Sequence, residues 1–261
     1  MKNNYTKKNE NCICHVFLLF KVKERVLLNT VNIGKRYGKI WVLKEINLSI
    51  ERGEILVLLG GNGSGKTSLL NQFGMVSKPS EGEILLDGKN MRESVNTSFG
   101  IVPNNPFLYY SLSIRENLDF YSSLFGISKR EKDRRINELS SAFDFYNFLD
   151  HPLRHLSEGL VKRVSIVRSI IHDPEIILMD EPFVSLDSKF VELLMGMMRR
   201  GFDFDCLNRS PKERFCIFST HFLERALNVS SKVGILVKGK LVAMDPVGAL
   251  KNEEIIELVN G

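Results

Sequence analysis

One stretch limits the fold more than any other: EILVLLGGNGSGKTSLLNQF, Glu54 to Phe73. Its first part is a run of leucine, isoleucine and valine without alternation, the pattern of a strand buried on both faces. Leu69, Leu70 and Phe73 then recur at helical spacing. Strand, glycine-rich loop and helix follow one another with no room for anything else. The loop matches G-x-x-x-x-G-K-[ST] through Gly60, Gly65, Lys66 and Thr67. Gly60, Gly61, Gly63 and Gly65, with Asn62, Ser64 and Ser68, let the backbone wrap closely enough to aim several N–H groups at one phosphate chain. The helix start adds the positive end of its dipole. Lys66 is placed to reach β- and γ-phosphates, and the Thr67 hydroxyl to ligate Mg²⁺.

A second apolar run, PEIILMDEP, ends Ile176–Met179 with Asp180 and Glu181. A carboxylate at the carboxyl end of such a strand holds the Mg²⁺ shell, and the next one can polarise an attacking water. Asp180 is therefore the candidate metal ligand beside Thr67. Glu181 is the candidate general base, which makes hydrolysis the favoured chemistry.

With these motifs in this order, the chain resembles the nucleotide-binding subunit of an ATP-binding-cassette transporter over about residues 26–248. The resemblance implies an α/β fold: a P-loop NTPase (RecA-like) core with an antiparallel β subdomain and an α-helical subdomain at about 105–160. It implies ATP and Mg²⁺ as cofactors. It places Tyr37, in KRYGKIWVL, where an aromatic ring stacks on adenine, and gives Trp41 a core role instead. Asn104, in GIVPNNPFLYY, stands where the family carries a metal-contacting glutamine; one methylene shorter, it would reach Mg²⁺ through water. His221 in FSTH takes the place of the switch histidine that contacts the γ-phosphate. Asp187 in SLD marks the aspartate loop, which communicates with a partner.

The stretch LSEGLVKR, 156–163, resembles the family signature L-S-G-G-Q-x-Q-R. Leu156, Ser157, Gly159 and Arg163 keep it, whereas Glu158, Leu160 and Lys162 depart from it. Ser157 and Gly159 open a helix toward phosphate, and the resemblance implies that the ATP they face is held by the other protomer. Leu160 also reads as part of an apolar stripe with Val164, Val167 and Ile171.

Between these motifs, residues 105–155 read as two or three helices. PFLYY, Pro106 to Tyr110, is either an exposed aromatic contact for a membrane subunit or part of the subdomain core. KREKDRR reads as a solvated helix face. SKFVELLMGMMRR reads as an amphipathic helix with Met195, Met197 and Met198 as core filler. VGILVKGKLVAM reads as a hairpin turning at Lys238-Gly239, and residues 249–261 as a closing helix.

Residues 1–25 stand apart. Their start is polar and basic, without periodicity, and is expected to be disordered. The apolar run ICHVFLLF that follows reads as an added strand, a short amphipathic segment or the product of a misplaced translation start. The CICH cluster, Cys12, Cys14 and His15, has no second ligand group at metal spacing. Four cysteines in 261 residues give no disulfide framework.

The net charge of +5 falls short of a nucleic-acid-binding stripe, and no apolar run approaches the roughly 18 residues of a membrane span. Nucleic acid is therefore not an expected partner. The expected partners are separate transmembrane permease subunits and a second cassette, as homodimer or as heterodimer with a sister chain. The expected location is the cytoplasmic face of a membrane, and the expected direction export. The competing classes are a small-molecule kinase, a soluble cassette such as the iron–sulfur assembly type, and a catalytically silent sensor. A kinase needs neither the signature nor FSTH.

Overall fold

The computed structural model describes residues 26–93, 99–208, 210 and 214–260. Cys12, Cys14, His15 and the rest of the first 25 residues lie outside them. Two sheets organise the chain. β1 (Val26–Tyr37), β2 (Ile40–Glu51), β4 (Glu81–Leu86) and β5 (Lys89–Asn90) form an antiparallel sheet in the order β2-β1-β4-β5. β3 (Ile55–Leu59), β6 (Phe99–Val102), β7 (Ile176–Asp180), β8 (Phe215–Ser219), β9 (Lys232–Val237) and β10 (Lys240–Pro246) form the second, in the order β10-β9-β3-β8-β7-β6. Its strands are parallel except the edge strand β10.

The unbroken apolar runs of β3 and β7 have the cause expected of them. Val57, Leu59, Ile177 and Met179 face one core, and Leu56, Leu58, Ile176 and Leu178 face another. The second core fills the space between the two sheets together with Leu28, Ile33, Leu43 and Ile46, and with Leu69, Leu70 and Phe73 of helix α1 (Lys66–Phe73). Burying both faces of a central strand at about 25 cal/mol per Å² of apolar surface is the main term holding this layer.

The first core carries the other helices: α2 (Ile114–Leu124), α3 (Lys129–Ala142), α4 (Glu158–Ile170), α5 (Ser188–Arg199), α6 (Leu223–Val229) and α7 (Asn252–Asn260). α2 starts with a reciprocal cap. Ser113 Oγ accepts from Glu116 N at 3.2 Å, and Glu116 Oε2 accepts from Ser113 N at 2.8 Å. The buried Asn117 side chain pins the preceding loop, accepting from Tyr109 N at 2.8 Å and donating to Tyr109 O at 3.0 Å. Phe107, Tyr109 and Tyr110 are consequently about half exposed, while Leu108 turns inward. Of the apolar stripe, Val164, Val167 and Ile171 are fully enclosed and Leu160 is partly buried against the same core, while the α5 residues Met195, Met197 and Met198 are nearly enclosed. The hairpin turns at Lys238 and Gly239, both with positive φ (48° and 82°), which fits a right-twisted strand pair.

Two expectations fail. KREKDRR is not wholly solvated: Arg135 is 6% exposed and donates to the Ile171 carbonyl at 2.7 Å, capping the end of the α4 segment. Trp41 is only half-buried. It lies on the antiparallel sheet over Gly34, where an added Cβ would meet its ring at 3.0 Å, and beside the Arg36 guanidinium at 5.6 Å.

The Arg134 and Arg135 guanidiniums hold the Glu131 carboxyl at about 2, well below its ordinary 4.5. A carboxyl whose pKa is lower in the folded chain stabilises it above the unfolded value and loses that effect as pH falls. Glu131→Gln should therefore cost about 1 kcal/mol at pH 7. In urea titrations the gap from the parent should shrink from pH 5 and close near pH 2. A gap independent of pH would refute this pairing.

Candidate phosphate and metal site

The glycine loop crosses the carboxyl ends of the parallel strands, where ligands of such sheets bind. Close approach dictates its glycines. A Cβ on Gly60 would fall 2.3 Å from the Leu236 carbonyl oxygen, and one on Gly65, at φ +109°, 2.6 Å from Leu43 Cδ2. The remaining loop glycines, Gly61 and Gly63, have open space around them. The turn of the β9–β10 hairpin touches the loop as well: Gly239 N donates to Ser64 O at 3.0 Å. No side chain caps the start of α1 and no acid sits in its first turn, whereas α2, α4 and α5 are capped by Ser113, Ser157 and Asp187. Its N–H groups are left for an anion.

Lys66 is 7% exposed and donates to the Gly60 and Gly61 carbonyls at 2.8 and 3.1 Å. Burial lowers its pKa, countered in part by Glu181 and Asp180. Thr67 Oγ1 donates to Asp180 Oδ2 at 2.8 Å, which sets two hard oxygen donors side by side. Ser219, fully buried at the end of β8, joins the two acids: its hydroxyl donates to Asp180 Oδ1 and accepts from Glu181 N at 3.1 Å. Glu181 stands at φ +47°, a backbone strain held by these contacts. Its Oε1 lies 3.1 Å from His221 Nδ1, and its Oε2 is buried without a hydrogen-bond partner. With the proton on Nδ1, His221 donates to Glu181.

A cleft of about 260 Å³ is lined by Val42, the residues Asn62–Ser68, Asn104, Asp180 and Glu181. These groups fit a magnesium–triphosphate: glycine cradle, uncapped helix start, buried ammonium, hydroxyl–carboxylate pair, and the unpartnered Ser64 Oγ and Glu181 Oε2. The structure brings Lys66, Thr67, Asp180, Glu181 and His221 together and leaves Asn104 exposed at the rim. It does not bring Tyr37, Ser157, Gly159 or Asp187 into the lining. Tyr37 is about half exposed at the end of β1, with Lys35 Nζ 5.1 Å from its ring centre. Ser157 caps α4, accepting from Leu160 N at 3.3 Å. Gly159 fits because an added Cβ would lie 2.8 Å from Ser185 O. Asp187 caps α5 through Phe190 N at 2.9 Å and pairs with Arg163 at 2.7 Å; these bonds hold its carboxyl below the usual range.

Sequence reasoning missed Ser219, although a hydroxyl closing the apolar run FCIF was a visible signal. It also passed over Lys162 as a mere departure. Lys162 is 6% exposed and donates to the Asp180 carbonyl at 3.3 Å.

Fold and cleft together define a phosphate-loop nucleotide-binding domain of α/β architecture. The family model described as ABC transporter matches residues 43–184, and the chain belongs to that ATP-binding-cassette family. It is 32% identical to the molybdate/tungstate import ATP-binding protein WtpC of Pyrococcus horikoshii, over 88% of this chain and 66% of that relative. It is 31% identical to the probable sulfate/thiosulfate import ATP-binding protein CysA of Chlorella vulgaris, over 81% and 87%. Among solved structures, a dimeric ATP-binding cassette in a post-hydrolysis state with ADP and Pi aligns with a TM-score of 0.75 at 26% identity. That alignment covers 86% of this chain and all of the cassette.

Among the described residues, no helix is long and apolar enough to cross a membrane, and no cluster of three or more His, Cys, Asp or Glu side chains forms a metal site. The two described cysteines, Cys206 and Cys216, are buried free thiols.

Proposed function

We propose that the chain binds and hydrolyses ATP to drive transport through separate membrane-spanning subunits, at the cytoplasmic face of a membrane. The observation that carries this reading is the single cleft in which Lys66, Thr67 and Asp180 adjoin a carboxylate with one oxygen free and the other held by a histidine. On this reading residues 26–248 form the cassette, 105–160 its helical subdomain and 249–261 a closing helix. Both relatives are named for import. They lend no support to the export expected from the sequence, and import is the direction proposed.

Each residue has a part. The loop from Gly60 to Ser68 cradles the phosphates, and Lys66 exchanges its loop carbonyls for β- and γ-phosphate oxygens. Thr67 and Asp180 would hold Mg²⁺, with Asn104 contributing through water, and the ion would neutralise phosphate charge. Glu181 orients the attacking water and accepts its proton through Oε2. His221 steadies Glu181 and meets the γ-phosphate. Tyr37 takes the adenine.

Ser157 and Gly159 serve the nucleotide of a second cassette, and Asp187 lies at the same junction, so the working unit is a dimer. Their position outside the chain's own cleft supports this reading, as does the dimeric cassette structure. The half-exposed Phe107, Tyr109 and Tyr110 suit the membrane subunit.

The test is Mg²⁺-dependent ATP hydrolysis by the purified chain over a protein-concentration series. Rate rising more than linearly with concentration is expected of a site completed by two chains. A rate strictly proportional to concentration from the lowest value would overturn the shared site. Absence of turnover, even with its permease subunits reconstituted, would overturn the ATPase reading.

A further inference from the structure

The signature helix of this chain is fastened to the catalytic segment by two of its departures, Glu158 and Lys162, together with Arg163. Glu158 Oε2 accepts from Ser185 Oγ at 3.3 Å, two residues before Asp187. Arg163 adds its 2.7 Å pair with Asp187 and stacks 4.0 Å from the Phe190 ring centre. Between them Lys162 points inward. Its ammonium sits behind the end of β7, bonded to the Asp180 carbonyl, with Asp180 and Glu181 as the charged groups nearest to it. An ammonium this deeply buried is tolerated only where opposite charge offsets its lost hydration. Two lysines thus flank one pair of carboxylates. Lys66 comes from the glycine loop on the phosphate side, and Lys162 from the signature helix on the far side.

The Asp180 carbonyl belongs to the peptide that leads into Glu181, whose φ of +47° needs outside support. Ser219 holds that peptide by its N–H and Lys162 holds it by its C=O. Lys162 is not itself among the residues that line the phosphate cleft, and it reaches that cleft only through the main chain of Asp180. It lines an adjoining cleft of about 310 Å³ with Glu158, Ser185 and Asn104, the last of which borders both clefts.

We propose that Lys162 is a positioning residue for hydrolysis: it fixes the Asp180–Glu181 peptide, so that the start of the signature helix and the water-orienting carboxylate move as one body. This rests on the ATPase reading above. It gives each chain a direct mechanical link from the edge that meets the partner's nucleotide to the carboxylate that orients water at its own.

The test compares Lys162→Met, which fills the space without a donor, with Lys162→Gln, which keeps a donor on a shorter stem. Two readouts are taken: steady-state ATP kinetics, and amide hydrogen exchange of residues 181–187 in the nucleotide-free chain. Lys162→Met should lower kcat about ten- to a hundredfold, with KM for ATP within about threefold of the parent. It should also speed exchange across residues 181–187. Lys162→Gln should recover most of both. A Met variant with parental kcat would overturn the proposal, as would a Gln variant that fails equally in kcat and thermal stability, since that marks plain packing. If the parent shows no turnover even with its permease subunits reconstituted, the ATPase reading falls and exchange alone decides. Unchanged exchange in the Met variant then overturns the fastening too.

Discussion

Replacing Glu181 by glutamine is expected to lower ATP turnover about a thousandfold, within the range a positioned general base contributes. Shape is almost unchanged by the substitution. Glutamine can still meet His221, and the backbone N–H still reaches Ser219. What disappears is the basic oxygen, because the buried Oε2 position, unpartnered here, can no longer take a proton from water. ATP affinity should hold, since Lys66, Thr67 and Asp180 are untouched. Single-turnover hydrolysis measured beside binding of a fluorescent ATP analogue separates the two. A variant hydrolysing within tenfold of the parent would show that Glu181 is not the base. Loss of binding in step with turnover would show instead that its charge serves the ground state.

The largest expected effect on stability lies away from the cleft, at Arg214. This guanidinium is 3% exposed and donates to the Gly201 and Phe202 carbonyls, each at 3.0 Å, while its other arm pairs with Asp173. The two carbonyls belong to a turn whose residues both have positive φ, 62° and 52°. Arg214→Ala takes the charge from beside Asp173 and leaves both carbonyls enclosed. The cost should be about 3–5 kcal/mol, a fall in Tm of roughly 10 °C for a chain of this size. Arg214→Lys, which keeps the charge but cannot span both partners, should recover only part of it. Calorimetry showing a loss under 1 kcal/mol for alanine would mean that solvent takes over these contacts.

The glycine loop, the buried strands on either side of the sheet and the Asp180–Glu181 pair were legible because each is a local pattern. Apolar residues without alternation mean burial on two faces, and Gly60, Gly65, Lys66 and Thr67 fall at fixed spacing within one short stretch. What stayed hidden depends on partners far along the chain. Lys162 and Arg135 look like solvated cations until the Asp180 and Ile171 carbonyls are brought to them. Ser219 looks like a strand end until β7 lies alongside. Asp187 carried a family role in sequence, yet within one chain its carboxylate is committed to a helix cap and to Arg163. Tyr37 and Ser157 were nameable by position only, since the proposed partner of one is the adenine ring and that of the other the nucleotide of a second cassette.

The hairpin turn that meets the glycine loop has a consequence for how the molecule is made. Gly239 N is bonded to Ser64, Lys44 N to Gly239 O, and the Leu236 carbonyl closes against Gly60. On the ribosome the loop motif emerges long before β9 and β10 are translated. Contacts between segments so far apart in sequence form late and carry a large closure entropy. A nascent chain therefore displays its nucleotide motif without the wall that shapes it until β9 and β10 have emerged, and capture of ATP waits on those strands.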